Sequence, residues 1–353
     1  MTSQEAPAGV AVIIVTYNSG QYVKDCLESL GRQTVKPRAV VVVDNASSDD
    51  TVDAARAFGA DVIVNAGNAG FAAGNNIGAR HAVGKYGPEY VLLLNPDTVA
   101  HERMIEELQT TLDADPRAGI AQGKIFLLRE KGLLNTDGIC HHYLYFGYCG
   151  GYGLPDRDEG DREIAVASGA CLMIRRDVLE RLGYLFLDEF FMYHEDTDLC
   201  IRARLLGYKC VVSGRAVVWH DYRFSSGKKK FFHMEKNRLF LVFQNYRALT
   251  LLLLLPAILF TELQVMLFAV LSGWAGWKFR SYLWLLRNAG LVSDKRHAVQ
   301  ASRNVGDLEL LGLFVTDISF EAVDNAGLRY VTNPALKYYY RFVTGCLRLA
   351  GGR

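Results

Sequence analysis

The sequence predicts an α/β fold built on a mostly parallel, doubly wound sheet. Apolar, β-branched runs recur between Val10 and Leu128. Each stops at a cluster of turn residues, and a stretch of helical period follows most of these stops.

In order, VAVIIV (Val10 to Val15) is a strand buried on both faces, ended by TYNSG. The next stretch places Val23, Leu27 and Leu30 on one helical face. AVVVVD closes a second strand at Asp44, and NASSDDT opens a helix over Val52 to Phe58. ADVIVN is a third strand, after which NAGNAGFAAGNNIGARHAV passes from a glycine-rich turn into a helix. YVLLLN is a fourth, closed by Pro96 and Asp97; a helix from His101 to Leu112 and the strand IAQGKIFLL follow. Between Leu133 and Asp161 the glycine- and aromatic-rich HHYLYFGYCGGYG reads as loop and not core. Regular structure returns with AVASGACLMI, helices over Arg176 to Leu182 and Asp196 to Leu206, and a strand pair in YKCVV and AVVWH.

The 353 residues are half apolar and 22% charged, enough for a sizeable core, and a net charge of +1 gives no reason to expect nucleic-acid binding. Seven scattered cysteines form no CxxC or metal-ligand spacing, which reads as reduced thiols in a cytosolic compartment. MTSQEAPAGV lacks the basic start of a signal peptide.

Beyond Lys228 the character changes. KKKFFHMEKNR is basic and aromatic, suited to lipid phosphate or to closing over a diphosphate through Lys236 or Arg238. The stretch Leu249 to Trp277 is apolar and long enough to cross a bilayer. Pro256, Glu262 and basic flanks on both sides favour a monotopic helix, or a re-entrant hairpin bent at Pro256, on the cytoplasmic leaflet. The expected division is a catalytic domain over 1–245, a helical membrane-associating segment over 246–293 and a tail over 294–353 that pattern does not assign.

In an open parallel sheet, ligands bind beyond the carboxyl ends of the strands. Here those ends carry Thr16-Tyr17-Asn18, Asp44-Asn45, Asn65 to Gly70 and Asn95-Pro96-Asp97, and the first turn lacks the GxGxxG of a dinucleotide site. Hydroxyls, amides and Asp44 suit a base and ribose, and Asp97 suits Mg²⁺ or Mn²⁺ on a diphosphate. Glu195 and Asp196 open a helix behind Phe190, Phe191, Met192 and Tyr193, where desolvation favours a general base. Asp198 and Arg202 are spaced to pair, and His220 ends the strand AVVWH.

With these residues in hand, the chain resembles the family 2 glycosyltransferases of GT-A fold, in their bacterial rhamnosyltransferase-like branch. VIIVTYNSG, VVDNASSDDT, NAGNAGFAAGNNIG, LLLNPDT, SGACLMIRR, FFMYHEDTDLCIRARLLGY and the terminal WH carry the resemblance, over roughly residues 10 to 245. It implies sugar transfer from a nucleotide diphosphate with inversion. Thr16, Tyr17, Asn18 and Asp44 would hold the nucleoside, and Asn68, Phe71 and Asn75 would lie along the donor; Asn95, and Arg238 from the basic run, are further donor-binding candidates. Asp97 matches the last acid of the family's DxD metal motif, where Asn95 departs from the first. Asp196 matches the catalytic base beside Glu195, and His220 a metal-ligating histidine.

The expected function is an inverting, metal-dependent transferase extending a lipid-linked or cell-envelope glycan at the cytoplasmic face of the membrane. Its acceptor would be a polyprenyl-linked or glycan molecule, and thymidine-diphosphate rhamnose is the preferred donor by resemblance. Uridine- or guanosine-diphosphate hexoses and a non-catalytic nucleotide-sugar-binding scaffold are the alternatives. TYNSGQYV lacks the glycine-rich, Arg/Lys-bearing loop of a nucleotidyltransferase.

Overall fold

A computed structural model of the chain describes residues 9–222, 227–319 and 326–351. The first eight residues, on which the signal-peptide reading rests, lie outside this range. Two compact units divide the chain: described residues of Met1–Gly138, Cys149–Ala203 and Tyr208–Arg223 form the first, and those of Ile139–Tyr148, Arg204–Gly207 and Phe224–Arg353 the second.

The first unit alternates as the apolar runs require: β1 (Val10–Thr16), α1 (Gly20–Gly31), β2 (Ala39–Asp44), α2 (Thr51–Phe58), β3 (Asp61–Val64), α3 (Gly70–Tyr86) and β4 (Tyr90–Leu94). After β4 come β5 (Thr98–Ala100), α4 (Met104–Ala114), β6 (Ala118–Leu127) and β7 (Leu134–Thr136). In the second unit, a short ladder pairs β8 (Ile139–His141) with β9 (Gly147–Cys149). The first unit resumes with β10 (Arg162–Ile164), β11 (Cys171–Arg175), α5 (Arg176–Leu182), α6 (Glu195–Leu205) and β12 (Lys209–His220).

The main path of the sheet runs β10-β12-β6-β11-β4-β1-β2-β3, with β5 on β12 and β7 on β6. β1, β2, β3 and β4 are mutually parallel where they pair, and so are β6 and β12. β11 enters between β4 and β6 antiparallel to both. The expected strand pair YKCVV and AVVWH is one strand, β12, interrupted by an irregularity between Ser213 and Val217. Such a bulge lets one strand change direction without ending.

One sheet face packs Val12, Ile14, Val42 and Leu92 against Leu27 and Leu30 of α1 and Leu108 of α4. Each such side chain contributes about 1.5–3 kcal/mol on full burial. On the opposite face α3 lies close to the sheet because it turns glycines toward it. A Cβ at Gly74 would sit 2.7 Å from Val15 Cγ1, and one at Gly78 would sit 2.4 Å from Ile13 Cγ2.

In the second unit, α7 (Lys230–Asn245), α8 (Ala248–Leu271), α9 (Ala275–Arg287), α10 (Ala289–Ser302), α11 (Asp307–Gly312) and α12 (Asn333–Leu349) pack as a helical bundle. This unit begins before the boundary read at residue 245, because α7 is covered by α9 and α10. HHYLYF is the turn between β8 and β9, as read, but it is buried in this unit's core and not surface loop. Tyr143 and Tyr145 are fully buried; the Tyr143 hydroxyl donates to the Leu336 carbonyl (2.9 Å) and Tyr246 donates to the Tyr143 carbonyl (2.6 Å). α8 runs unbroken through Pro256, so the expected hairpin bend is not formed. Among the described residues α8 is the one helix long and apolar enough to cross a membrane.

The Gly78 contact yields a test in which two effects oppose. Alanine favours a helix interior over glycine by about 1 kcal/mol, while a methyl group forced into packed side chains costs about 1–3 kcal/mol. With Ile13 fully buried and unable to withdraw, the clash should win. Gly78→Ala should lower the melting temperature by a few degrees in calorimetry, whereas a rise would show that the sheet yields.

Candidate active site

The carboxyl ends of β1 and β2 are locked by their own polar residues. The Thr16 hydroxyl donates to Asp44 Oδ1 at 2.9 Å, and Ser47 donates to the same carboxylate through its amide (2.8 Å) and its hydroxyl (2.5 Å). Asp44 and Thr16 are both buried, so in this state Asp44 shapes the rim from below. Asn18 takes a left-handed backbone (φ 51°), which an asparagine tolerates, and its side-chain oxygen accepts from the Ser48 amide at 2.8 Å. Tyr17, 54% exposed, stands clear at the mouth.

Asn45 ties this rim to the next. Its amide donates to the Gly70 carbonyl (3.2 Å), and its oxygen accepts from Asn65 (2.9 Å) and the Ala69 amide (3.3 Å). Asn68 is exposed and caps the Gly70 amide at 2.9 Å. Asn75 is buried and donates back to the Phe71 carbonyl one turn earlier (2.9 Å), which holds the start of α3.

β5 pairs Thr98 with His220, and this register brings the Asn95-Pro96-Asp97 turn beside the end of β12. His220 Nε2 lies 3.2 Å from Asp97 Oδ1. The other ring nitrogen, Nδ1, faces Asn135 Oδ1 at 2.9 Å. With Nδ1 donating to that oxygen, Nε2 turns a lone pair toward the carboxylate, an arrangement that a cation between them relieves. Two adjacent ligands about 2.1 Å from one octahedral ion are themselves about 3 Å apart, so the pair fits Mg²⁺ or Mn²⁺. Asn95 Oδ1, in the same turn, is buried without a hydrogen-bond partner. Among the described residues no cluster of three His, Cys, Asp or Glu forms, so water and substrate oxygens would complete the shell.

The start of α6 is built on strain. Phe191, Tyr193 and His194 all have positive φ (63°, 68° and 65°), costing on the order of 1–3 kcal/mol each. Surrounding contacts hold them there. Asn76 of α3 bonds both backbone groups of Phe186 (2.8 and 2.9 Å) and the Asp188 carboxylate (2.5 Å). Gly70 lies against Phe191, where a Cβ would come within 2.6 Å of its carbonyl oxygen. Arg202 bonds Asp198 (2.8 Å) and the carbonyls of Tyr184 and Leu185 (3.1 and 2.7 Å), a structural clamp formed by the expected pair.

Asp196 accepts from the Thr197 amide (2.7 Å) and the Gly169 amide (3.2 Å). The adjacent Ala170 carbonyl accepts from the Asn95 amide (3.0 Å). Two consecutive residues before β11 therefore bring the acid pair and the Asp97 turn to one rim. Phe71 closes on the same glycine, 3.3 Å from where a Cβ would stand. Glu195 is 7% exposed, and its Oε2 has no hydrogen-bond partner. Burial pushes both carboxyls above their ordinary range; in Glu195 the neighbouring Asp196 charge adds to it, while in Asp196 the amide bonds oppose it.

Arg238 is engaged elsewhere. It lies in the second unit, 2% exposed, bonded to Glu235 (2.8 Å) and Glu262 and to the Leu144 carbonyl (3.3 Å). A guanidinium so fully engaged is not available to a diphosphate, and it leaves the donor set. Asn135, Asn76 and Gly169 were not singled out from sequence. Asn135 lies in a stretch with no regular pattern, Asn76 reads as one of two adjacent helix residues, and only SGACLMIRR, as a segment, marks Gly169.

Fold and rim together have the architecture of the GT-A (nucleotide-diphospho-sugar transferase) fold, a mostly parallel sheet with its polar residues at the strand ends. Residues 11–183 match the family model "Glycosyl transferase family 2", and this part of the chain is a domain of that family. It is 31% identical over 202 residues to the low-salt glycan biosynthesis hexosyltransferase Agl10 of Haloferax volcanii, covering 55% of this chain and 61% of that protein. It is 27% identical over 244 residues to an N-acetylglucosaminyl-diphospho-decaprenol L-rhamnosyltransferase of Mycobacterium tuberculosis, covering 63% and 79%. Rhamnosyltransferase WbbL of Escherichia coli is 24% identical over 212 residues, covering 57% and 78%. The crystal structure of GalNAc-T7 with UDP, GalNAc and Mn²⁺ shares the fold at TM-score 0.54 and 16% identity, over 67% of this chain and 47% of that one.

The raised Glu195 carboxyl has a consequence for stability. The native state holds this proton more tightly than the unfolded chain, so wild-type stability falls as pH rises from the unfolded value, about 4.3, toward the higher native one. Glu195→Gln removes that loss. Melting temperatures of the two proteins should differ least near pH 4, with the variant's advantage widening toward neutrality. A variant less stable than wild type at pH 7 contradicts the assignment.

Proposed function

We propose that the first unit is an inverting glycosyltransferase that takes a sugar from a nucleotide-diphosphate donor. The observation that carries this reading is the shared rim: Asp97 and His220 3.2 Å apart, and Asp196 held by Gly169 beside the residue that holds Asn95. Tyr17, Asn18 and Asn68 border the nucleoside end, with Thr16 and Asp44 as its floor. Phe71 and Asn75 lie along the sugar.

The chemistry follows from these placements. Asp196 removes the proton from an acceptor hydroxyl as that oxygen bonds the anomeric carbon from the face opposite the diphosphate. The carbon–oxygen bond to the diphosphate breaks, and the nucleoside diphosphate leaves with the electron pair. A divalent cation held by Asp97 and His220 would neutralise the charge building on that leaving group. Burial keeps the Asp196 carboxyl proton-hungry, while Glu195 beside it holds its own proton more tightly because of burial and the Asp196 charge.

The preferred donor is thymidine-diphosphate rhamnose, since relatives named as rhamnosyltransferases match over 63% and 57% of this chain. The named hexosyltransferase relative supports uridine- or guanosine-diphosphate hexoses as the alternative. A lipid-linked acceptor is favoured by the exposed apolar face of α8, which also supports membrane attachment on the side where nucleotide sugars are made.

Two outcomes test the roles. Asp196→Asn should lower turnover about 10²- to 10⁴-fold while leaving the donor dissociation constant within about twofold by calorimetry; equal loss of binding sinks the base assignment. Asp97→Ala should weaken donor binding in Mn²⁺ as well as turnover, and a chelator should lower wild type to the level of the variant. The screen spans thymidine-, uridine- and guanosine-diphosphate sugars with a polyprenyl-linked acceptor. Binding of none of them overturns the reading.

A further inference from the structure

α8 has two unlike faces. Inward it buries Thr250, Leu254, Ala257, Ile258 and Thr261 against the second unit. Outward, Leu252 (66% exposed), Leu259, Leu263 (72%), Leu267 and Leu271 (78%) form an apolar stripe along its whole length, about 36 Å. Its charge, Glu262, turns inward, where Arg238 and Lys278 bond it together with Glu235. Water does not favour such a face on a soluble domain.

The neighbours of α8 say what covers it. Tyr339 of α12 donates to the Leu253 carbonyl (2.7 Å), and Gln264 donates to the Thr332 hydroxyl just before α12 (3.0 Å). As the contacts advance along α8 they retreat toward α12's start, so the two helices lie side by side and antiparallel. α12 exposes Tyr338, Phe342 and Leu349 in one stripe and Lys337, Arg341 and Arg348 in the next. α9, packed on α8 as well, exposes Phe279 and Leu286 with Arg280 and Arg287. Every exposed charge on these three helices is positive.

We infer that the second unit docks flat on an anionic lipid leaflet, with α8 lying in the membrane plane, its outer leucines among the acyl chains and the cations of α9 and α12 on the headgroups. This rests on the proposed membrane attachment and specifies its geometry. Upright, α8 would carry the Glu235–Arg238–Glu262–Lys278 quartet to mid-bilayer. Exposed Lys337, about half a turn from Tyr339, would then stand within the hydrocarbon, where a cation is expensive. Lying flat, every one of the five cations can reach a phosphate while its aromatic neighbours sit at headgroup level.

The test uses the full chain with vesicles of phosphatidylcholine alone or mixed with phosphatidylglycerol. Flotation should occur strongly with the anionic vesicles. Lys337→Gln, Arg341→Gln and Arg348→Gln combined should weaken it by about a hundredfold, at about fivefold per cation, with little change on the neutral vesicles. Leu252→Cys, Leu263→Cys and Leu271→Cys, each carrying an environment-sensitive dye and read against the labelled wild type, report depth through nitroxide lipids. Equal, shallow depths are expected at all three. A profile deepest at Leu263 and shallow at both ends means a span and overturns the flat geometry while attachment stands. No flotation with either vesicle overturns attachment itself. A dimeric mass without vesicles, with all three dyes already shielded, puts a second copy on this face and overturns the lipid assignment.

Discussion

The close approach of α3 to β1, possible because Gly74 and Gly78 carry no side chain toward Val15 and Ile13, sets the geometry on which the candidate site depends. With α3 at this distance, Asn76 reaches Phe186 and Asp188. Gly70 at its start seats Phe191, whose carbonyl accepts from the Ala72 amide at 3.2 Å. These contacts determine three left-handed residues in a row of four, which no local preference would produce. The helix that follows then opens with Glu195 and Asp196 at the rim. A helix-to-sheet packing detail is thus transmitted, through hydrogen bonds, to the orientation of one carboxylate.

The acid pair has an electrostatic logic of its own. Two carboxylates buried at adjacent positions disfavour each other's charge, and burial disfavours both. Helix α6 begins at these residues, and its N-terminal dipole favours negative charge there. The amides of Gly169 and Thr197 go to Asp196, while Glu195 Oε2 has no such donor. The pair therefore divides its roles by hydrogen bonding: Asp196 is the member better able to ionise, Glu195 the one more readily protonated. Across the rim the division is parallel, with Asn135 on one ring nitrogen of His220 and Asp97 facing the other.

Much of this was legible in the residues. Runs such as VAVIIV and AVVVVD read as strands buried on both faces, the habit of a parallel sheet, so the strand ends and their polar residues could be named in advance. The proximity of Asp97 and His220 was not legible from spacing, since it is made by the β5–β12 register and was expected only by resemblance. HHYLYF misled as to burial: its glycine-rich surroundings rightly signal a turn, but the partners that bury Tyr143 lie near Tyr246 and Leu336, far along the chain. Arg238 misled for a related reason. A basic run reads as solvated, and the acids that draw it inward, Glu235 and Glu262, are separated from each other by most of two helices.

The second unit inverts the usual disposition of polarity, and the inversion is one argument rather than two. Its interior holds two cations and two acids in mutual contact, with Tyr282 donating to Glu262 at 2.6 Å. Its exterior holds the leucines of α8. Replacing such a buried quartet with apolar residues is often neutral or stabilising in water, so stability alone gives little reason to keep it. Beside lipid the balance differs. A bundle whose outer face is already apolar gains little from a further apolar seam, because the helices could trade one hydrocarbon contact for another. A charge network with directional bonds has one satisfied arrangement and fixes which face of α8 turns inward. The polar interior thereby determines that the leucine stripe, and not the face of Glu262, is the one presented outward.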